Sequence, residues 1–460
     1  MLVGMGIAVL MLFANLAMSH RSRLIGVAIL LVPQFYIPGF PVSLAVIWII
    51  LTCLAGLTAR GRSSADSPLV VIAGLFVLMT AVSILWAVPT GVYNGIVTVA
   101  YGVVFALWLR EVIVLARDEP GMLDTIVSWT VPGVALQALL AIIFQLSPAV
   151  ESRFLRSPIA VLTMGPKVVN LFTDEPNNVL DPTKSGGFFV NGNVASLFGG
   201  VAALLLWVAA RRCANRWLYV FAALSIVGAA FTGSKTAASV GVGVGLVILL
   251  VPQMLKASAA VVGWSMVLVA PVVFYMATVF FQWFIPTFFS VDFSLGSRDR
   301  LWTRAAEVIQ DSPILGLGFG GWEEQIGRIG SFAALPPHNY FIAAWVNSGL
   351  LAAVLVVAFV LVAFVFGLRT AAAQPSVRDR RTAVIALCAI GWVFIHGMAD
   401  NTAMYGDRQT MILFALAIGY LYAMQLMPDR VELREMDQLR VRPASELGDA
   451  AVLPVGMRSG

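Results

Sequence analysis

Apolar runs of about twenty residues recur from the start of the chain to about residue 427. The hydrocarbon core of a bilayer is about 30 Å thick, so a helix needs roughly 20 apolar residues to cross it. The composition agrees, since 60% of the 460 residues are hydrophobic and 12% are charged, a balance that soluble globular domains do not show. The runs are continuous rather than alternating, which excludes a transmembrane β-barrel. The sequence therefore predicts an all-α polytopic membrane protein.

The candidate spans number twelve or thirteen. The second apolar run is short for a crossing, and the sequence IPGFP (37–41) after it predicts a tight turn. The first run has neither a basic start nor a cleavage site of small residues, so we interpret it as a retained helix. The candidate spans are 1–18, 24–37, 41–58, 69–88, 94–109, 124–147, 191–210, 217–232, 236–251, 257–281, 339–368, 383–398 and 408–427.

The distribution of basic residues predicts the topology. Most of the 29 lysines and arginines fall in one set of alternating connections, and short cytoplasmic loops are enriched in these residues. Residues 1–427 are thus predicted to form a single transmembrane domain with a mobile cytoplasmic tail, 428–460. Two long loops, 148–190 and 282–338, lie on the external side. We assign the net charge of +5 to this topology rather than to nucleic-acid binding.

The second long loop contains a helical pattern. In GSRDRLWTRAAEVIQDSP (296–313), Ser297 is a candidate N-cap and Pro313 a stop. Apolar residues recur at helical spacing between them, which predicts an amphipathic helix of about 14 residues on the outer membrane surface. The glycine-rich LGLGFGGW (315–322) that follows predicts a turn of little stiffness and matches no nucleotide-binding pattern.

Cationic side chains and one histidine gather on the external side. Guanidinium groups bind phosphate oxygens bidentately, and a histidine can transfer a proton near neutral pH. These residue types together favour an anionic ligand. Each residue alone has a simpler interpretation, because interfacial histidines and arginines often only anchor a helix or contact lipid phosphates. The candidates are Lys235, Arg298, Arg300, Arg304 and His338.

Four segments resemble the O-antigen ligase and polysaccharide polymerase superfamily. They are GGFFVNGNVASLFGGVAALLL (186–206), FTGSKTAASVGVGVGLVILL (231–250), GSRDRLWTRAAEVIQDSPILGLGFGGW (296–322) and PPHNYFIAAWVNSGLL (336–351). The resemblance implies a polytopic helical enzyme with a glycosyltransferase C-like membrane fold. Members act at the periplasmic face of the bacterial inner membrane on glycans carried by undecaprenyl pyrophosphate, without a metal or soluble cofactor.

The resemblance also implies roles for individual residues. Arg298, four residues before Trp302, corresponds to the family arginine that binds the donor pyrophosphate, and His338 to the histidine that positions or deprotonates the acceptor hydroxyl. Lys235 stands where members commonly have arginine, which keeps the charge but loses the planar fork. Arg300 is a candidate second phosphate contact without a firm family counterpart.

Asn191 and Asn193 match the polar start of the family helix after the first long loop. A helix cap and a sugar contact remain equal alternatives for both.

The chemistry implied is displacement at the anomeric carbon. Arg298 and Lys235 stabilise the charge that grows on the departing pyrophosphate, and His338 accepts the proton of the attacking hydroxyl. Without a covalent intermediate, this reaction inverts the anomeric configuration. A glycosidase-like carboxylate pair is disfavoured, because Glu323 and Glu324 are adjacent and diverge on most backbones.

Three further polar groups have structural interpretations. The segment DEPNNVLD (174–181) offers carboxylates to a cation but matches no EF-hand spacing, so a solvated loop is favoured. His396 and Asp400 are spaced to hydrogen-bond each other, with acceptor binding as the alternative. The three dispersed cysteines form neither a disulfide framework nor a zinc site.

Two questions of function stay open at the sequence level. A polymerase and an O-antigen ligase use the same donor and residues and differ in the acceptor, another glycan or lipid A core. We favour a polymerase because it requires no dedicated acceptor. A lipid-linked glycan flippase is a second alternative, disfavoured because the spans are almost free of charge and transporters carry ionisable residues at mid-membrane.

Overall fold

The apolar runs fold into helices in the computed structural model, which describes residues 2–36, 42–59, 67–172, 183–189, 191–255, 263, 294–327, 336–400 and 402–426. Within these ranges extended pairing is limited to two isolated bridges, Tyr36 with Ser43 and Ala403 with Gly406. The α-helices are α1 (Leu2–Ala17), α2 (His20–Ile29), α3 (Leu44–Ala59), α4 (Pro68–Ser83), α5 (Val92–Asp118), α6 (Pro120–Trp129), α7 (Val131–Leu146), α8 (Pro148–Leu155), α9 (Pro158–Met164), α10 (Gly192–Cys213), α11 (Arg216–Phe231), α12 (Lys235–Met254), α13 (Ser294–Asp311), α14 (Gly321–Gly327), α15 (Tyr340–Ala373), α16 (Val377–Gly397) and α17 (Thr410–Gln425).

Seven helical segments within the described ranges are long and apolar enough to cross a membrane. The prediction of an all-α polytopic membrane protein is confirmed. Three shorter apolar helices accompany these seven, and most of the predicted span 257–281 lies outside the described residues. The seven segments are Pro68–Trp86, Val92–Asp118, Pro120–Leu146, Gly192–Cys213, Lys235–Met254, Tyr340–Ala373 and Val377–Gly397; the shorter helices are Leu44–Leu57, Arg216–Phe231 and Thr410–Gln425.

The predicted span 24–37 is not a full crossing helix. Its helix, α2, covers ten residues, about half of what a bilayer requires. The chain leaves the helix before Pro33, which lacks an amide hydrogen and disfavours helical backbone in the preceding residue. Tyr36 then donates its backbone N–H to the Leu162 carbonyl at 2.7 Å, so this end of the segment is fixed to α9.

The centre of the bundle is formed by α10, α16 and α17, whose residues are buried on nearly every side. A helix that is apolar all round is stable only when other helices surround it. Around this centre, α10 packs against α11 and α16, and α12 packs antiparallel to α16. An aromatic cluster joins α5, α15, α16 and α17 through Phe105, Phe359, Phe394 and Phe414. These contacts fix the positions of the starts of α12 and α15 and of the end of α16 relative to one another.

Helix α15 is interrupted at Gly349, where the backbone adopts φ 84° and ψ 176°. The glycine-rich segment after α13 fills the interruption. Leu350 donates its N–H to the Ile314 carbonyl at 3.0 Å, and Leu317 donates its N–H to the Val346 carbonyl at 2.7 Å. The first part of α15, residues 340–348, is therefore held by this segment.

The segment LGLGFGGW (315–322), which the sequence predicts to be a turn of little stiffness, is anchored by hydrogen bonds to its neighbours. Gly316, Gly318 and Gly320 all have positive φ, a backbone conformation that glycine adopts without steric cost. The segment is hydrogen-bonded on two sides, because the Phe319 carbonyl also accepts from the Val88 N–H at 3.0 Å. It connects α13 to α15 and to the chain between α4 and α5.

We expect Gly349→Ala to lower the free energy of unfolding by about 1 to 3 kcal/mol, the usual cost of a strained backbone conformation. The new methyl group would lie 2.3 Å from the Ile314 carbonyl oxygen, which adds a steric clash. Thermal unfolding in detergent measures the change. Gly243→Ala is the matched control, because nothing lies within 4 Å of a methyl group there. Equal melting temperatures for the two variants would contradict this role of Gly349.

Candidate functional site

The predicted amphipathic helix is present as α13, but its position differs from the expectation. It begins at Ser294, so Ser297 lies inside the helix and is not its N-cap. Its apolar face is covered by protein, because Leu301 and Ala305 pack against Trp322 of α14 and Val346 of α15. The apolar face of α13 therefore packs against the helical bundle, whereas the sequence analysis expected it to lie on lipid.

Trp302 ties α13 to the residue that precedes His338. Its indole Nε1 donates to the Pro337 carbonyl oxygen at 2.9 Å. A second indole, that of Trp345, donates to the Pro313 carbonyl at 2.7 Å and links the end of this region to the same part of α15. The two hydrogen bonds fix α13 beside the start of α15.

His338 has a left-handed backbone with φ 48°, which is uncommon for a bulky residue and costs free energy. The residues on both sides hold it there. Pro336 and Pro337 restrict the chain before it, and the Asn339 side chain caps α15 by accepting from the N–H groups of Phe341 and Ile342 at 3.0 and 3.3 Å. Strain of this kind persists only where the surrounding structure imposes it.

Asp400 faces His338 across the start of α15. The distance from His338 Nδ1 to Asp400 Oδ1 is 3.7 Å, and the two side chains are 25% and 5% exposed. A buried carboxylate beside Nδ1 favours the tautomer in which Nδ1 carries the hydrogen. The other ring nitrogen, Nε2, then carries no hydrogen. Sequence spacing predicts a partner for Asp400 in His396, and the contact with His338 is additional to that prediction.

Tyr340 fixes the distance between α15 and the end of α16. Its ring stacks on Phe394 with centroids 6.4 Å apart and lies against Gly397, where a methyl group would be 2.7 Å from the ring. The end of α16 thereby places Asp400, three residues farther on, beside His338.

Lys235 is the first residue of α12, whose N-cap Ser234 accepts from the Ala237 N–H. Because α12 runs antiparallel to α16, Lys235 lies at the same end of the bundle as Gly397. Trp392 of α16 approaches Gly241 of α12, and both residues lie one to two helical turns from these ends. The contact therefore aligns the end of α16 with the start of α12. Lys235 and His338 are thus at one end of the bundle, on either side of the end of α16.

Helix α13 carries three arginines, Arg298, Arg300 and Arg304. Arg298 belongs to the helix, four residues before Trp302, but its side chain lies outside the described part of the structure. Arg300 is exposed and takes part in an interaction. Arg304 donates to Glu307 at 2.7 Å in an ion pair along the helix surface.

The two asparagines lie at the start of α10. Asn191 is the N-cap, and its side-chain oxygen accepts from the Asn193 N–H at 2.8 Å. The geometry gives Asn191 the capping role. Asn193 is the second residue of the helix, and its carbonyl accepts from the Ser196 hydroxyl at 2.7 Å.

The remaining polar candidates lie in α16, on α14 and in a segment outside the described residues. His396 is fully buried in α16, and Glu323 and Glu324 are exposed on α14. The segment 174–181 lies outside the described residues. Among the residues that the structure does describe, no group of three or more His, Cys, Asp or Glu side chains is placed to hold a metal ion.

Comparison with known families identifies the same part of the chain. Residues 220–357 match the family model described as O-Antigen ligase. The match runs from α11 into α15 and includes Lys235, Arg298 and His338. No curated protein sequence matches the chain. The family match confirms the resemblance found in the sequence and supports an O-antigen ligase or polymerase type of function. The chain is therefore a multi-pass membrane protein in which residues 220–357 are similar to the O-antigen ligase family, whose members are glycosyltransferase-like enzymes.

Proposed function

We propose that this protein is a polymerase of a surface polysaccharide, an exopolysaccharide or O-antigen. It transfers glycan from undecaprenyl pyrophosphate to a sugar hydroxyl at the periplasmic face of the bacterial inner membrane, and its tail is cytoplasmic. The observation that carries the proposal is the fixed position of His338 against Asp400, beside the helix that contains Arg298.

His338 is the general base in this proposal. The acceptor oxygen attacks the anomeric carbon, the bond from that carbon to the pyrophosphate oxygen breaks, and the hydroxyl proton moves to the imidazole. Asp400 stabilises the imidazolium that forms. The proton and the leaving group are both accounted for, because undecaprenyl pyrophosphate departs with the bonding electron pair.

Arg298, Lys235 and Arg300 bind the donor pyrophosphate in this proposal. Charge grows on the leaving oxygen in the transition state, and fixed cations near that oxygen lower the barrier. The proposal assigns this stabilisation to protein side chains, so the reaction requires no metal ion. A single displacement predicts inversion at the anomeric carbon.

The acceptor distinguishes a polymerase from a ligase. Purified protein is incubated with an undecaprenyl-pyrophosphate oligosaccharide, alone and with lipid A core, and the products are sized. A ladder of lengthening lipid-linked chains without lipid A core supports a polymerase. Glycan that appears only on lipid A core would replace this proposal with a ligase.

We expect Asp400→Asn to lower kcat by about 10- to 100-fold with little change in the KM for donor. An amide carries no charge to stabilise the imidazolium, but it keeps the shape of the carboxylate. Initial rates over a range of donor concentrations separate the two constants. Wild-type kcat in a folded Asp400→Asn protein would exclude the carboxylate from the reaction.

A further inference from the structure

The peptide that joins Pro337 to His338 is held by a side chain of α13. The Trp302 indole Nε1 donates to the Pro337 carbonyl oxygen at 2.9 Å, and Pro337 is buried. This carbonyl belongs to the same planar peptide unit as the His338 amide nitrogen. Rotation about φ of His338 turns that plane relative to the imidazole. The hydrogen bond therefore restricts the backbone angle that directs the His338 side chain.

That angle needs restraint from both directions along the chain. His338 has φ 48°, a left-handed value that is costly for a residue with a bulky side chain and persists only where contacts impose it. Asn339 supplies the restraint on the following side by capping α15. The Trp302 indole supplies it on the preceding side. A peptide that relaxed toward negative φ would redirect the imidazole, whose Nδ1 now lies 3.7 Å from Asp400 Oδ1.

The indole stands on a fixed support. Leu301, next to Trp302 in α13, is buried and packs with Ala305 against Trp322 of α14 and Val346 of α15. The backbone of Trp302 therefore keeps its place relative to the start of α15. A donor on such a support restricts the acceptor peptide more than a donor on a mobile loop would.

The same hydrogen bond links the two halves of the proposed reaction. Arg298, which acts on the leaving group in the proposed function, precedes Trp302 by about one helical turn in α13. The Trp302 indole bonds to the peptide of His338, which acts on the acceptor. Two catalytic groups must keep a fixed separation, because a misplacement of about 1 Å can lower a rate by about 100-fold.

We propose that Trp302 is a positioning residue for the transfer reaction, acting through the peptide between Pro337 and His338. The inference rests on the proposed function, since it concerns the base of that reaction. The indole N–H keeps the imidazole beside Asp400 and takes no part in the bond changes itself. Its loss should therefore lower kcat and leave donor binding nearly unchanged.

The kinetic test uses Trp302→Phe, which removes the N–H and keeps an aromatic ring. Trp302 is 38% exposed, so the variant should fold. We expect kcat to fall by about 10- to 100-fold, as for a misplaced catalytic group, with little change in the KM for donor. Trp86→Phe is the matched control, because the Trp86 indole also donates to a backbone carbonyl, that of Leu315 at 3.2 Å, in a peptide that does not adjoin His338.

A double-mutant cycle separates positioning from a general loss of structure. In an Asp400→Asn background, the charge that the indole aligns with the imidazole has already been removed. Trp302→Phe should then cause a much smaller further loss of kcat than it does in the wild type, because the two residues act through the same contact.

A second readout does not depend on transfer. The chain has three histidines, His20, His338 and His396, so histidine that is isotopically labelled in the ring gives few NMR signals. The signal that disappears in His338→Ala identifies His338. Trp302→Phe should shift this signal, whereas Trp86→Phe should leave the signals of all the histidines in place.

The outcomes separate the two proposals. Absence of transfer by the wild type would contradict the proposed function, and the NMR signal of His338 then decides the role of Trp302. An unchanged His338 signal in folded Trp302→Phe would overturn the inference. Equal loss of kcat in Trp86→Phe, a higher KM for donor with unchanged kcat, or an undiminished effect of Trp302→Phe in the Asp400→Asn background would also overturn it.

Discussion

His338→Ala is expected to lower kcat for glycan transfer by at least about 100-fold, the lower end of what a positioned general base contributes. The imidazole is fixed by its strained backbone, the Asn339 cap and the buried Asp400. The alanine side chain can neither accept the proton nor form a charge pair with Asp400. Initial rates with saturating donor measure the effect.

Donor binding should be largely unchanged in His338→Ala, because the cations that bind pyrophosphate remain. The double variant Glu323→Gln/Glu324→Gln is a control that also tests the rival carboxylate scheme. Both glutamates are exposed on α14, so their removal should leave the rate near that of the wild type. An active His338→Ala protein would exclude His338 as the base, and an inactive double variant that is folded would favour the carboxylate scheme.

Arg298→Ala is the second change with a large expected effect, a loss of about 100- to 1000-fold in kcat. Removal of one group that stabilises transition-state charge typically has this cost. Arg298 precedes Trp302 by about one helical turn in α13, and the Trp302 indole is bound to the Pro337 carbonyl next to His338. The helix that carries the guanidinium is thus fixed relative to the base.

Arg298→Lys should recover part of the activity, since it keeps the charge but loses the planar fork. Arg304→Ala is the matched control on the same helix, because the Arg304 guanidinium is paired with Glu307 along the helix surface. Activity in the control should stay near that of the wild type. Equal rates for Arg298→Ala and Arg304→Ala would remove Arg298 from the donor site.

The helical membrane fold could be predicted from sequence because crossing a bilayer imposes the length and apolarity of each span. The break in α15 at Gly349 could not be predicted from sequence. It depends on the chain around Ile314, which is remote in sequence and occupies the gap in the helix. Within the candidate site, His338 and Arg298 followed from motif resemblance, but the Asp400 contact did not. Sequence spacing predicts an interaction of Asp400 with His396, but the additional contact with His338 depends on the packing of Tyr340 against Gly397.

The most direct test uses the purified wild-type protein in detergent, where no two compartments exist and transport cannot be observed. The protein is incubated with an undecaprenyl-pyrophosphate oligosaccharide, and both the glycan products and the released undecaprenyl pyrophosphate are quantified. We predict new glycosidic bonds in equal number to the released carrier molecules, with inverted anomeric configuration. A donor that stays unchanged both alone and with lipid A core, under conditions where the protein is folded and binds it, would contradict the transferase assignment and favour a lipid-linked glycan transporter.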